Sequence, residues 1–359
     1  MMDELHFGLI GCGRVAPRHA ESFAQLEGAT LVAVADIRAS RADRFAKEYH
    51  ATAYTEYRRL LDRNDIDVVS ICTPSGLHAG MAIAAMQAGK HVIVEKPMAL
   101  ALADADAMIR VAAETGRKLC VVLQNRYNPP MRDLRQVVDS GRLGRLLLGS
   151  ATVRWYRPQE YYEDEWHGTW AMDGGALMNQ SIHHIDALQW LMGAPASVFA
   201  YTATLAHRME AEDTGVAVIR FQSGALGTIE GSTITYPENM EGSVAVFGER
   251  GSIKVGGTAL NRKTIWKVEG ELEHEKELLT RDQLDPASVY GTSHSAVIAD
   301  MIAAVREDRP PKTNGLEARR SVALVLAIYE SARTGRPVDM TDGEWQIANC
   351  KSANRQVSK

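Results

Sequence analysis

At 359 residues the chain is longer than one core of ordinary size organises, so two domains are the default expectation. Its 40 Lys and Arg against 45 Asp and Glu give a formal net charge of −5, which argues against nucleic acid as the main partner, because a phosphate-binding face carries a concentrated basic excess. The 45% hydrophobic and 24% charged content is that of a soluble globular chain, and no apolar run is long enough to span a bilayer.

The first third alternates strands and helices. Strands are predicted over 7–10, 31–35, 67–72, 91–94 and 118–123, with helices over 14–26, up to 45, over 77–88 and over 104–114, the last stopped by Gly116. Short, nearly all-apolar strands between helices signify a parallel sheet covered on both faces. From Gln124 the pattern changes. After a helix over 131–139 come longer strands with hairpin punctuation: 214–221, 225–235, 243–247 and 252–255, turning at Gln222-Ser223-Gly224 and at Gly248-Glu249-Arg250-Gly251. This is an antiparallel meander. A helix over 178–192 lies between, and helices over 293–305 and 316–332 follow, the second with Asn314 and Glu317 near a capping-box spacing.

The expected fold is an α/β Rossmann domain (1–123) followed by an α+β domain with a large, mostly antiparallel open sheet (124–340), its last helix packing at the domain junction, and a frayed tail (341–359). One face of such a sheet is free to pair with another subunit, so a homo-oligomer is expected. Cys12, Cys72, Cys120 and Cys350 are scattered without CxxC spacing, which argues against a disulfide framework or metal site. The opening residues lack the basic and apolar regions of a signal peptide, and the expected location is the cytoplasm.

Gly11-Cys12-Gly13-Arg14-Val15-Ala16, between the first strand and first helix, fits the dinucleotide fingerprint with alanine at its third small position. Gly11 permits the turn, Gly13 lets a pyrophosphate approach, and the helix start supplies amides. Asp36 ends the second strand, where a carboxylate accepts from ribose hydroxyls and repels a 2′-phosphate; NAD is therefore favoured over NADP. Two other readings stand beside this: Asp36 caps the next helix, or Arg38 meets a 2′-phosphate. Thr73-Pro74-Ser75 ends the third strand on the same edge. The expected cofactor contacts are completed by Ile37, His78, Glu95, Lys96 and Gln124.

His91-Val92-Ile93-Val94-Glu95-Lys96-Pro97 is an apolar strand ending in an acid, a base and a proline. A lysine there faces the ligand edge of an open parallel sheet. Glu95 alternates to the opposite side and reads as its structural partner. Beneath Gly174-Gly175, Asn179, His183 and Asp186 are four and three residues apart and share a helical face, whereas His184 reads as structural.

These motifs resemble those of the glucose-fructose oxidoreductase / inositol dehydrogenase / MocA family: a glycine fingerprint, Glu95-Lys96-Pro97, and Gly174-Gly175-x-Leu177-x-Asn179-x-x-x-His183-x-x-Asp186. The resemblance implies substrate held between the two domains, a cis bond before Pro97, and a tetramer. Many members carry aspartate where this chain has Asn179, so a proton relay through that position is not expected. Gln124-Asn125-Arg126-Tyr127-Asn128-Pro129, residues 157–162, Met178-Asn179-Gln180 and residues 201–205 carry a narrower resemblance, to bacterial UDP-N-acetylglucosaminuronate 3-dehydrogenases of surface-polysaccharide synthesis.

The expected activity is NAD-dependent oxidation of a sugar's secondary hydroxyl. Lys96 and His183 are the catalytic candidates: the imidazole's ordinary pKa suits a base, and lysine suits a hydrogen-bond donor to the alkoxide or a base itself. The expected substrate contacts are Lys96, Asn125, Arg126, Arg157, Asn179 and His183, with the two arginines for carboxylate or diphosphate and ion pairing as their alternative. Trp155, Tyr156, Tyr161, Tyr162, Trp166 and Trp170 read first as packing. Other readings are an inositol or free-sugar dehydrogenase of the same family, and a non-enzymatic nicotinamide-dependent sensor.

Overall fold

The computed structural model describes residues 4–257, 259–270 and 293–346. The chain divides into two compact units. The first begins with β1 (Leu5–Ile10), α1 (Ala16–Gln25), β2 (Ala29–Ala35), α2 (Ala39–Tyr49), β3 (Thr52–Tyr54), α3 (Tyr57–Leu61), β4 (Val68–Ile71), α4 (His78–Gln87), β5 (His91–Val94), α5 (Leu102–Thr115) and β6 (Leu119–Val121). Its six strands are parallel, in the order β3-β2-β1-β4-β5-β6. That is the doubly wound dinucleotide-binding order, in which the ligand crevice lies where the order reverses, at the carboxyl ends of β1 and β4. Every residue of β4 is buried because helices cover both faces of the sheet. Phe7 stacks on Phe23 of α1 at 4.5 Å, and burying such a ring contributes about 2–3 kcal/mol.

The second unit contains α6 (Pro129–Asp139), β7 (Leu146–Arg154), a π-helical segment (Ala176–Ser181) running into α7 (Ile182–Met192), then β8 (Pro195–Ala203), β9 (Thr214–Phe221), β10 (Leu226–Ser232), β11 (Glu241–Gly248), β12 (Gly251–Gly256) and β13 (Arg262–Val268). The expected helix over 178–192 is thus split: the stretch before Ile182 is wound more loosely, as a π-segment. The fold returns through α8 (His294–Arg306) and α9 (Gly315–Thr334) to β14 (Val338–Asp339). An eight-stranded sheet results, ordered β13-β12-β11-β7-β10-β9-β8-β14, antiparallel except where β10 runs parallel to β7. In β9, Gly215, Ala217, Ile219 and Phe221 point inward while Val216, Val218 and Arg220 point out. α7 packs on β7 and β11 and is buried almost all round.

The division is not into consecutive segments. Ser293–Arg319 belongs to the first unit, and the boundary falls inside α9, between Arg319 and Arg320. α8 packs on α1, Val121 N–H donates to Thr313 O at 2.8 Å, and Arg319 pairs with Asp106. Asn314 Oδ1 accepts from the N–H groups of Leu316 and Glu317 and so caps α9. Cys12, Cys72 and Cys120 are free, buried thiols; Cys350 and most of the expected tail lie outside the described residues.

Candidate functional site

In the first unit, Gly11 has φ +90, and a Cβ there would stand 2.7 Å from the Cys72 carbonyl oxygen; only glycine fits the turn. A Cβ on Gly13 would meet nothing within 4 Å, so the backbone there is open to a ligand. No side chain of the described residues caps α1, which leaves its first-turn amides to an anion. Asp36 takes the Cys12 and Arg38 N–H groups at 2.8 Å each, which fixes the glycine loop to the end of β2. It does not cap α2, whose start follows Arg38. Arg14 and Ile37 are exposed, Val15 is half-buried, Pro74 leads into a 3-10 turn with Ser75 buried, and the buried Thr73 hydroxyl has no partner among the described residues. An open glycine cradle, an uncapped helix start and an anchored acid fit a dinucleotide.

At the end of β5 the Lys96–Pro97 bond is cis and Lys96 is half-buried. Two residues expected at the cofactor, Glu95 and His78, are buried and hydrogen-bonded within the unit. Glu95 is buried and takes His19 Nε2 at 3.0 Å, with His294 Nε2 at 3.5 Å, while its other oxygen accepts the Lys96 N–H at 3.2 Å. Burial alone would raise Glu95, but the hydrogen bonds from His19 and His294 outweigh it and hold the carboxyl well below its usual range. The Ser70 hydroxyl in turn meets His19 Nδ1 at 2.7 Å. The ligating atoms of this trio lie within 4.8 Å of one another, and His19 Nε2 stands at hydrogen-bond distance from the carboxylate. His78 is buried between the carbonyls of Pro97 (2.7 Å) and Thr73 (2.9 Å), so it ties the lysine's turn to the β4 loop.

In the second unit, the three side chains expected on one stripe go to three separate partners. Asn179 donates its amide to Asp173; Gln124 Nε2 lies 3.3 Å from His183 Nε2; Asp186 takes Arg126 Nε at 2.8 Å and a terminal nitrogen at 2.7 Å, plus the Ser321 hydroxyl at 2.6 Å. Gln124 Oε1 is buried and has no partner among the described residues. Arg126 forms a buried bidentate pair with Asp186 beside Trp190, which favours the ion-pair reading of this residue. Asn125 is buried, and its Oδ1 has no partner among the described residues.

Arg157 is half-exposed, lies over the rings of Trp155 and Tyr161, and donates to Gln180 at 2.7 Å, the Tyr156 carbonyl at 2.6 Å and Asn239 at 3.2 Å. The aromatic cluster mostly packs on its neighbours: Tyr161 on Tyr162 and His167, Trp170 on Tyr329. His184 lies edge-on to Trp155, and burial pushes its ring down to about 3. His19, His294, Asp173, Glu212 and Tyr329 were not singled out from the sequence; no local pattern marks them, since all but Asp173, which meets Gly168 and Asn179, act through partners distant in the chain.

Fold and fingerprint together define a nicotinamide-dependent oxidoreductase. Residues 5–123 match the oxidoreductase family with an NAD-binding Rossmann fold, and residues 131–254 match the GFO/IDH/MocA C-terminal domain. The chain belongs to the GFO/IDH/MocA family, and it is an NAD-dependent oxidoreductase acting on CH–OH donors. It is 40% identical to the WlbA dehydrogenase from Bordetella pertussis, solved with NADH and UDP-GlcNAcA, with a TM-score of 0.91 over 95% of this chain and 99% of that one. It is 26% identical to myo-inositol 2-dehydrogenase of Thermotoga maritima and 30% identical to inositol 2-dehydrogenase of Rhizobium meliloti, each over 94% of this chain and 99% of the relative. No helix among the described residues is long and apolar enough to cross a membrane.

Proposed function

We propose that this enzyme oxidises the 3′-hydroxyl of UDP-N-acetylglucosaminuronic acid with NAD, in the cytoplasm, as a step toward a 2,3-diamino sugar of surface polysaccharide. The observation that carries this is the 40% identity, over 95% of the chain, to an enzyme solved with UDP-GlcNAcA, against 26% and 30% for the two inositol dehydrogenases. NAD, when bound, supplies the hydride acceptor. His183 takes the hydroxyl proton, and Gln124, whose side-chain nitrogen lies 3.3 Å from Nε2, orients the ring. Lys96 donates a hydrogen bond to the developing alkoxide, its backbone held by Glu95. Asn125 and Asn179 contact the sugar, and Arg157, lying over two aromatic rings, takes the carboxylate or diphosphate.

The open face of the large sheet presents Tyr201 opposite Val216, with Val218, Leu226 and Leu148 beside them, all exposed. We assign this apolar face to a second copy in a homo-oligomer, with a tetramer favoured. Light scattering tests it: a monomer with Val218→Lys and a larger species without it is the expected pair of results.

The position of oxidation tests the main reading. Enzyme, NAD and UDP-N-acetylglucosaminuronic acid should yield a keto carbon at C3′ by NMR, and an unchanged sugar would remove the reading. Oxidation of myo-inositol in the parallel reaction would favour the inositol dehydrogenase reading, which the relatives at 26% and 30% identity support.

A further inference from the structure

We propose that Glu212 and Tyr329 form a positioning pair for the reaction, holding the start of the helix that carries Asn179 and His183 through a proton-complete hydrogen-bond relay. The role rests on the reading of His183 as base. The relay itself is a matter of geometry.

The π-segment starts at Ala176, directly after Gly175. A helix start exposes N–H groups that lack intrahelical acceptors, and a buried start needs other acceptors for them. Here three consecutive amides are taken by two residues from far along the chain. Ala176 N–H donates to the Glu212 carbonyl at 2.9 Å, Leu177 N–H to Glu212 Oε1 at 2.7 Å, and Met178 N–H to the Tyr329 hydroxyl at 3.2 Å. The same hydroxyl lies 2.5 Å from the Gly174 carbonyl oxygen and 2.9 Å from Glu212 Oε1. Gly175 has φ +86, and a Cβ on it would strike the Glu212 carboxyl at 1.8 Å; the glycine lets the acid sit against the turn.

The protons decide the state of this cluster. Two oxygen–oxygen contacts join Glu212 Oε1, Tyr329 and Gly174 O, and each needs a proton. Tyrosine supplies one. An ionised Glu212 supplies none, so the tyrosine would have to choose between the carboxylate and the Gly174 carbonyl. A protonated Glu212 completes the chain: its O–H donates to Tyr329, and Tyr329 donates to Gly174. The surroundings agree. Glu212 is buried, and burial pushes its carboxyl up to about 8 against the pull of the Leu177 amide and Tyr329, with nearby Asp173 adding to the rise. Its Oε2 has no partner among the described residues. Asp213, next in the chain, faces the amides of Leu205, Ala206 and His207 and the His207 ring, and Trp170 lies edge-on to Tyr329.

Glutamine at position 212 cannot both accept from Leu177 N–H and donate to Tyr329 through one atom, so it imitates the broken relay without titrating. The turnover ratio of Glu212→Gln to wild type, on UDP-N-acetylglucosaminuronic acid, should rise from about one tenth at neutral pH toward one well above pH 8, because misplacing a catalytic group slightly costs that much and wild type then loses the relay too. Taking the ratio cancels the titration of groups common to both enzymes. Tyr329→Phe should be equally slow at neutral pH. A ratio independent of pH would overturn the proposal. Infrared spectroscopy decides independently of any substrate: the carbonyl band of a protonated carboxylic acid should be present in wild type at neutral pH and absent in Glu212→Gln. Its absence from wild type would refute the relay, whereas its presence with an inactive sugar substrate would count against the proposed function alone.

Discussion

Glu95 and Glu212 are both buried glutamates, one in each unit, and their surroundings push their carboxyls in opposite directions. Glu95 faces two imidazoles and a backbone amide and is held well below the ordinary carboxylate range. Glu212 faces a phenol, backbone groups and the charge of Asp173, and burial carries it up to about 8. The cost of desolvation is common to both, so the partners decide. The hydrogen bonds that His19 and His294 give Glu95 outweigh its burial, whereas those from the Leu177 amide and Tyr329 do not outweigh the burial of Glu212.

The largest effects should come from the two residues proposed as catalytic. Lys96→Ala and His183→Asn are each expected to lose about 10²–10⁴-fold in turnover while still binding NADH, read by nicotinamide fluorescence. Near-normal turnover in either variant would remove that residue from the catalytic assignment.

Stability separates the glutamates themselves. Glu95→Gln replaces the acceptor of the buried His19 ring and of the Lys96 N–H and should cost about 1–3 kcal/mol in urea unfolding at neutral pH. Glu212→Gln replaces a neutral acid by a neutral amide and should cost far less. Their pH dependences should also run in opposite directions. Glu95 has its folded-state pKa depressed, so its contribution is present above the ordinary value of 4.5 and is lost as pH falls below it. Glu212 has its folded-state pKa raised from 4.5 to about 8, so between those values the native state keeps a proton that the unfolded chain has released. Stability conferred at acid pH therefore declines across that window and levels off above it. Glu212→Gln should gain on wild type by a few kcal/mol as pH rises through the window. Parallel curves for the two proteins would mean that Glu212 is ionised in the native state.

Smaller effects divide the two arginines along the same line of buried against open. Arg157→Ala should raise KM for the nucleotide sugar about tenfold with little loss of melting temperature, whereas Arg126→Ala should lower the melting temperature by breaking its buried pair with Asp186. The smallest effect expected is at the cofactor loop, where Asp36→Ala should narrow the preference for NAD over NADP by about tenfold or less.

Features built from neighbours in sequence were legible before the fold was seen. The short apolar strands, the Gly11–Gly13 turn, the lysine at the end of β5 and the Asn314 cap each follow from a local pattern. The partners were not legible. Glu212 meets Tyr329 across 117 positions, Arg126 meets Asp186 across 60, and His294 reaches Glu95 after the chain has built most of the second unit. Such pairings are set by tertiary packing, to which composition and periodicity are blind. The π-segment escaped for a related reason: its widened turn is stabilised from outside, by Glu212 and Tyr329, and leaves no mark on the apolar repeat.

The central claim, that this family member works on a uronic acid linked to a nucleotide, is tested most directly by kcat/KM for UDP-N-acetylglucosaminuronic acid against myo-inositol, followed by NADH formation. The expected result is a preference for the nucleotide sugar of about 100-fold or more, the scale that a charged subsite supplies over a neutral polyol. Equal values, or turnover of myo-inositol alone, would contradict it.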